Sequence, residues 1–294
     1  MCVEIPEVRV GSPLQCGAAQ VFPLFVAAES NLAYVLSDEA VAKGTVTVQE
    51  VSEPSVIQNL LVDNGGDQPV LFLEGTEIRG GKQARVLNTS VLVAGGRTVI
   101  PVTCVERKRW KLTSPNMAVG SHCPPSLRFL LKGKHSSAQV AMWKAICRKH
   151  QAMGVQSTTH NLSDALDCRR GEMEELRAKL PCPEGPSGIA VALSGEVVCV
   201  DLFDKPKTCQ EVWERFVEGV VLDALEKPAG ADQASDTEIL TQLYRLRDMR
   251  WQRVDSVGLG EQYHSSPDGN TAASALVMDG GLVHASAAAH IYKE

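Results

Sequence analysis

The sequence predicts an α+β protein, two related β-rich halves with peripheral helices. Three observations carry the prediction. Short apolar and β-branched runs separated by glycine-containing turns fill the first hundred residues. Helical periodicity then takes over between about 136 and 180, and again from about 208 to 246. Finally, "VLVAGGRTVIPVTCVE" at 91–106 and "ALVMDGGLVHASAAAH" at 275–290 each place a paired-glycine turn between two apolar runs, with "QVFPLF" at 20–25 and "VVCVDLF" at 197–203 at comparable distances upstream. An internal duplication with a cleft at its interface, and a chance likeness of hairpins, account for this equally well.

Taken in order, strands are expected at 19–28, 45–52, 56–62, 70–73, 85–94 and 99–105. Asn64-Gly65-Gly66 and Gly95-Gly96 offer the positive φ that tight turns use. Ser136 with Gln139 forms a capping box ahead of one helix, and a second helix is expected from about Ser163 to Leu180. "PCPEGPSG" at 181–188 reads as a joint. A hairpin turning at Ser194-Gly195 follows, within 188–201. Thr208 with Glu211 then caps a helix whose Val212, Trp213, Phe216, Val217, Val220 and Val221 repeat at core-facing spacing, and Ser235 with Glu238 caps the last. The expected organisation is a β-rich half with a basic cluster at 1–135, a helical connector at 136–187 and a second α+β half at 188–294.

Of the 294 residues, 44 % are hydrophobic and 22 % charged, which argues against disorder and against a fibrous chain. No apolar run approaches the ~20 residues that cross a bilayer, and no leader pattern opens the chain, so a cytoplasmic protein with no membrane partner is expected. Nine cysteines without a C-x-x-C pair suit a reducing compartment. The net charge of −6 conceals an asymmetry: residues 79–150 carry fourteen Lys and Arg against one acid, Glu106, which makes that segment +13 and leaves −19 elsewhere. A basic cleft for an anion is the expected consequence.

The densest chemistry lies in "LEGTEIRGGKQARVLNTS" at 73–90. Gly75, Gly80 and Gly81 allow close approach of the main chain to a ligand, while Lys82 and Arg85 add positive charge, the arginine in bidentate form. The spacing is neither a P-loop nor a dinucleotide fingerprint. Glu74 and Glu77 beside a phosphate would repel it unless they pair with cations, hold a metal or bond sugar hydroxyls; a salt-bridged turn made by Glu77 and Arg79 is the plainer alternative. "CVERKRW" at 104–110 repeats the chemistry with Glu106, Arg109 and Trp110, the indole serving either to stack on a base or to cap a core.

These segments, with "SSAQVAMW", "SGIAVALSGEVVCVDLFDKPKTCQEVWERFVEGVVLDAL", "VGLGEQYH" and "SALVMDGGLVHASA", resemble successive motifs of the ADP-ribosylglycohydrolase- and rhodanese-phosphatase-associated protein domain family over nearly the whole chain. Gly75, Glu77, Gly80, Lys82, Gln83 and Arg85 match its G-x-E-x-x-G-x-K-Q-N-R-like core. The resemblance implies a role in pathways that use NAD and handle ADP-ribose derivatives. The chain departs from the pattern at Ala84, where the family has Asn, and at His264, where it has Arg. On this reading Arg85, Lys82 and Arg109 hold phosphate, Gln83 and Asn88 bond ribose or base, Trp110 and His264 complete the ligand site, and Glu77 or Glu106 supplies an acid or base. The partner expected is an anionic, nucleotide-derived small molecule, with no particular cofactor or metal implied. The alternatives are a nucleic-acid module using residues 79–150, and a scaffold whose basic face docks an acidic protein. His160, Asp164 and Cys168 would share a helix face, though a mixed surface explains them better, and Cys104 reads as a buried strand residue.

Overall fold

A computed structural model describes residues 3–27, 29–51, 58–132, 135–227, 232–265 and 270–291, with residues 135–137 described for their backbone only. The chain opens with β1 (Val8–Val10), β2 (Leu14–Cys16), β3 (Ala19–Val26), β4 (Val35–Leu36), α1 (Ser37–Ala42), β5 (Val46–Glu50) and β6 (Asn59–Asn64). It continues through β7 (Val70–Phe72), β8 (Thr76–Arg79), β9 (Arg85–Leu87), β10 (Val91–Val93), β11 (Gly96–Cys104) and β12 (Ala118–His122). Four helices follow: α2 (Pro125–Leu131), α3 (His135–Ala152), α4 (Leu162–Cys168) and α5 (Arg170–Arg177). The remainder is β13 (Gly188–Leu193), β14 (Glu196–Phe203), α6 (Pro206–Glu226), α7 (Asp236–Asp248), β15 (Trp251–Val254), β16 (Glu261–Ser265), β17 (Thr271–Met278) and β18 (Gly281–Ala289). This is an α+β fold.

The largest sheet runs β1-β3-β13-β14-β18-β17-β16-β15, with β2 also on β3. Because β3 pairs along its length with β13, this sheet joins the start of the chain to its second half. Ser187, just ahead of β13, donates its N–H to the Leu24 carbonyl. A six-stranded sheet, β12-β8-β9-β11-β6-β5, carries the motif segments, and β10-β7-β4 forms a third. Among the described residues no helix is long and apolar enough to cross a membrane.

Local signals predicted several elements well. Ser194 and Gly195 both take positive φ, 51° and 80°, and close the β13–β14 hairpin as the two-residue turn requires. Ser235 and Glu238 form a reciprocal capping box on α7. The apolar stripe of α6 is buried, and the Trp213 indole donates to the Leu180 carbonyl at 2.9 Å. Other expectations need correction. The strand expected at 85–94 is two, β9 and β10, in different sheets; it breaks where Asn88 Oδ1 accepts from Thr103 and Ser90 Oγ accepts from the Glu74 N–H. Helix α6 starts at Pro206 with no side-chain cap, so Thr208 and Glu211 lie inside it. The helix expected at 163–180 divides at Arg169, and His160 precedes α4 at φ 54°, off any shared face with Asp164 and Cys168. Gly65 and Gly66 do not take positive φ; the Asn64 side chain closes that turn by accepting from Gly66 N–H. The two similar hairpin segments also differ: β17 pairs with β18, whereas β10 pairs with β7 and β11 with β6 and β9, and this gives no sign of a duplicated unit. Ser136, Val56, Ile57 and the central part of the 226–235 loop lie outside the described residues or side chains.

Candidate functional site

The connection between β8 and β9, residues 80–84, faces the loop that follows β11, and this contact gathers most of the residues singled out by the motifs. Arg109 rivets the two together. Its Nε and Nη2 bind the Glu106 carboxylate at 2.7 Å each, and its remaining donors reach the carbonyls of Gly80, Gly81 and Lys111 and the Thr113 hydroxyl. All five N–H donors of the guanidinium thus have partners inside the protein. Glu106 also accepts from the Ala84 N–H at 2.9 Å, and the Gln83 amide donates to the Glu106 carbonyl at 2.7 Å, leaving the buried Gln83 Oε1 without a hydrogen bond. Arg85, 1 % exposed, faces Glu50, whose Oε1 accepts the Lys82 N–H at 2.7 Å. Lys82 and Trp110 project outward. Asn88 ties β9 to Thr103 of β11, and Cys104 is buried, its thiol donating to the Glu106 carbonyl while burial pushes its pKa up.

Glu77 lies on β8 beside this contact, in a different setting. Its carboxylate is buried and accepts from Arg79 Nε at 2.7 Å, from the Ser121 hydroxyl at 2.9 Å and from the hydroxyl of Ser163 at the start of α4. Held this way, Glu77 positions Arg79. The arginine side chain, 39 % exposed, lines a cleft of about 400 Å³ together with Gly120 and Ser121 of β12, Arg170, Glu174 and Arg177 of α5, and Glu218 of α6. Glu218 is half-buried, and loss of solvent raises its pKa against the pull of Arg79 and Arg177. Gly120 makes the arrangement sterically feasible, since a Cβ there would lie 2.7 Å from both Arg79 Nε and Glu77 Oε2. Gly120→Ala is accordingly expected to displace the Glu77–Arg79 pair and cost about 1–3 kcal/mol by overpacking, read as a lower urea midpoint with the secondary structure retained. Sequence reasoning named Glu77 and Arg79 but missed Gly120, Arg177 and Glu218, whose only signal is tertiary.

Glu74 enters a third cluster, entirely buried. Arg128 of α2 binds Asp201 of β14 through two hydrogen bonds of 2.5 and 2.8 Å and reaches Glu74 at 3.1 Å; Lys132 binds the same Glu74 at 2.7 Å. Hydroxyls of Ser274 and Ser286 complete the carboxylate's shell. Ser90 Oγ, His284 and Asp201 then line up at 2.8 and 3.1 Å, in the order of a nucleophile, a base and an acid. The likeness to a hydrolase triad stops at geometry. All three residues are buried, Ser90 Oγ already accepts from Glu74 N–H, and Asp201 is committed to Arg128.

The same pairings account for the basic segment. Arg79, Arg85, Arg97, Arg109, Arg128, Lys132 and Lys149 each meet an acid, and only Glu106 among those acids comes from residues 79–150 with Arg109; Glu77, Glu50, Asp63, Glu74, Asp201, Asp223 and Glu226 come from the acidic remainder. Much of the +13 charge is therefore neutralised inside the fold, which corrects the expectation that it converges on one open cleft. His264 stands exposed on β16, in the large sheet and in register with Ser274.

An α+β chain with two facing motif loops and an arginine-lined cleft beside them is the class these features define. The chain belongs to the ARPP-1 family: the model of the ARG and Rhodanese-Phosphatase-superfamily-associated Protein domain matches residues 7–288. No curated protein and no solved structure matches it.

Proposed function

We propose that the cleft beside Glu77 binds a phosphorylated ligand derived from ADP-ribose or NAD. One observation carries this reading: Arg79 is fixed by Glu77 and Ser121 yet keeps part of its side chain open to a cleft of about 400 Å³, which Arg177 and the Arg170–Asp167 pair also line. That volume falls in the ~300–1,000 Å³ range of small-molecule sites. A guanidinium held by a carboxylate from behind is pre-oriented for phosphate, and less side-chain entropy is lost on binding. Glu174 and Glu218 supply acceptors for sugar hydroxyls. The family name, which links these domains to ARG proteins, supports the same ligand class. Where binding leads to hydrolysis, Glu218 is the group placed to give a proton, since it lines the cleft and loss of solvent raises its pKa above the ordinary carboxylate value. Glu77 and Glu106 each accept three hydrogen bonds from the protein and act as positioning groups.

The test is calorimetry and thermal denaturation with ADP-ribose, NAD, ADP and AMP, followed by product analysis. ADP-ribose is expected to bind and raise the melting temperature, and Arg79→Gln to weaken binding at least tenfold, a charge-assisted hydrogen bond contributing ~1.5–3 kcal/mol. No binding of any of these at millimolar concentration, or unchanged affinity in Arg79→Gln, would overturn the reading.

A further inference from the structure

Four cations of the basic segment that make no ion pair among the described residues gather around one loop. Arg107, Lys108 and Lys111 are exposed and have no ion pair among the described residues, and Lys82 faces the same loop from the 80–84 turn, which Arg109 and Thr113 join to it. Between them Trp110 is 55 % exposed and Leu112 51 % exposed, the two large apolar side chains of the loop turned to solvent. The sequence left open whether this tryptophan caps a core; the structure places it outside.

The loop is also held still. Arg107 and Lys108 both donate their N–H to the Thr159 carbonyl, Thr113 N–H donates to Gly81 and Gly81 N–H to Ser114, and Arg109 occupies the interior with all its donors engaged. An indole presented on a rigid loop loses little entropy when it stacks. The field there is positive, since Lys108 and Arg107 help to lower the pKa of neighbouring His160.

We infer that the loop at 107–113, with Lys82, is a docking surface for single-stranded nucleic acid, Trp110 stacking on a base while Lys82, Arg107, Lys108 and Lys111 meet the flanking phosphates. Aromatic stacking beside a cationic track is how strands are held without sequence preference. An anionic bilayer fits less well: a flat surface would also face the acidic bulk of a protein whose net charge is −6, whereas a narrow strand touches the basic loop alone. The inference rests on residues outside the Arg79 cleft and stands or falls separately from the ligand proposed there.

The experiment is fluorescence polarisation of a labelled ten-nucleotide RNA across a salt series, with anionic phosphatidylserine vesicles and free ADP-ribose as parallel probes. Binding is expected to weaken with salt at a log–log slope of about −3, four phosphate contacts at ~0.7 each. Trp110→Ala should weaken it at least fivefold without changing the melting temperature. Lys108→Ala with Lys111→Ala should bring the slope toward about −1.5, while Arg79→Gln leaves RNA binding unchanged. Absence of RNA binding at low salt, equal affinity in Trp110→Ala, or binding to vesicles but not RNA would each overturn the inference.

Discussion

Arg128→Met is expected to destabilise the protein by about 3–5 kcal/mol, the usual cost of removing one partner from a buried ion pair. The reason is the asymmetry of the network it leaves behind. Asp201 and Glu74 are both buried, and Arg128 supplies two hydrogen bonds to the first and one to the second. Without it, Lys132 still neutralises Glu74, but Asp201 keeps only the imidazole of His284 at 3.1 Å. A carboxylate stranded in a low-dielectric interior must lose its charge or draw in water, and either route costs free energy. Folded proteins of this kind have about 5–15 kcal/mol in total, so the loss takes a large share of the margin. Urea denaturation of the two proteins measures it. A midpoint unchanged within error would mean that the Arg128 contacts contribute nothing net. Arg128→Lys retains the charge but not the fork, and should fall between the two.

That network also marks where sequence reading stops. Glu74 was visible as an acid in a crowded motif, and its alternatives were to pair with cations, hold a metal or bond hydroxyls. The structure selects cations and serine hydroxyls, supplied from 54 to 212 residues away in the chain. No local pattern encodes a partner at that distance. By contrast, the α7 cap, the Ser194-Gly195 turn and the α6 stripe rest on contacts within a few residues, and all three were legible. The motif loops fall between these cases. Their residues do come together, as Gly80, Lys82, Gln83, Glu106 and Arg109 show, but the roles differ from those expected because hydrogen bonding to carbonyls consumes the arginine that charge alone would offer to a phosphate. The break of the 85–94 strand has a similar origin: Asn88 and Ser90 side chains bond to other segments, and periodicity of apolar residues gives no account of that. The cleft residues Arg177 and Glu218 lie on two helices that meet β8 only in the folded chain.

Acid should unfold this protein in two stages, the first beginning well above the carboxylate range. His122 is buried against Phe216, with Gly75 leaving no room beside its ring, and loss of solvent together with the Arg128 charge lowers its pKa to about 3 from an ordinary 6.5. Below pH 6.5 the unfolded chain binds a proton that the fold refuses, so stability present above that pH declines as pH falls, at about 1.4 kcal/mol per pH unit for one group. Glu74 behaves with the same sign for a different reason: it is charged in the fold, and despite its burial Lys132 and Arg128 hold its pKa at about 2, below an ordinary 4.5. Asp201 is held well below the usual range by Arg128 and His284, again against burial. Glu74 contributes stability that is lost as pH falls below about 4.5 and Asp201 stability that is lost below about 3.8, so the two join His122 in turn and the slope should steepen to ~2.7 and then ~4 kcal/mol per pH unit. Urea midpoints taken every half unit from pH 7.5 to 3 test the sequence of events. His122 alone lowers stability by ~3 kcal/mol between pH 6.5 and 4.5, His150 and His264, whose pKa values desolvation also lowers, add to that fall, and the curve then steepens. His122→Gln should lower stability at pH 7 through poorer packing yet flatten the upper limb, and a wild-type curve level from pH 7 to 5 would show that His122 titrates as freely in the fold as outside it.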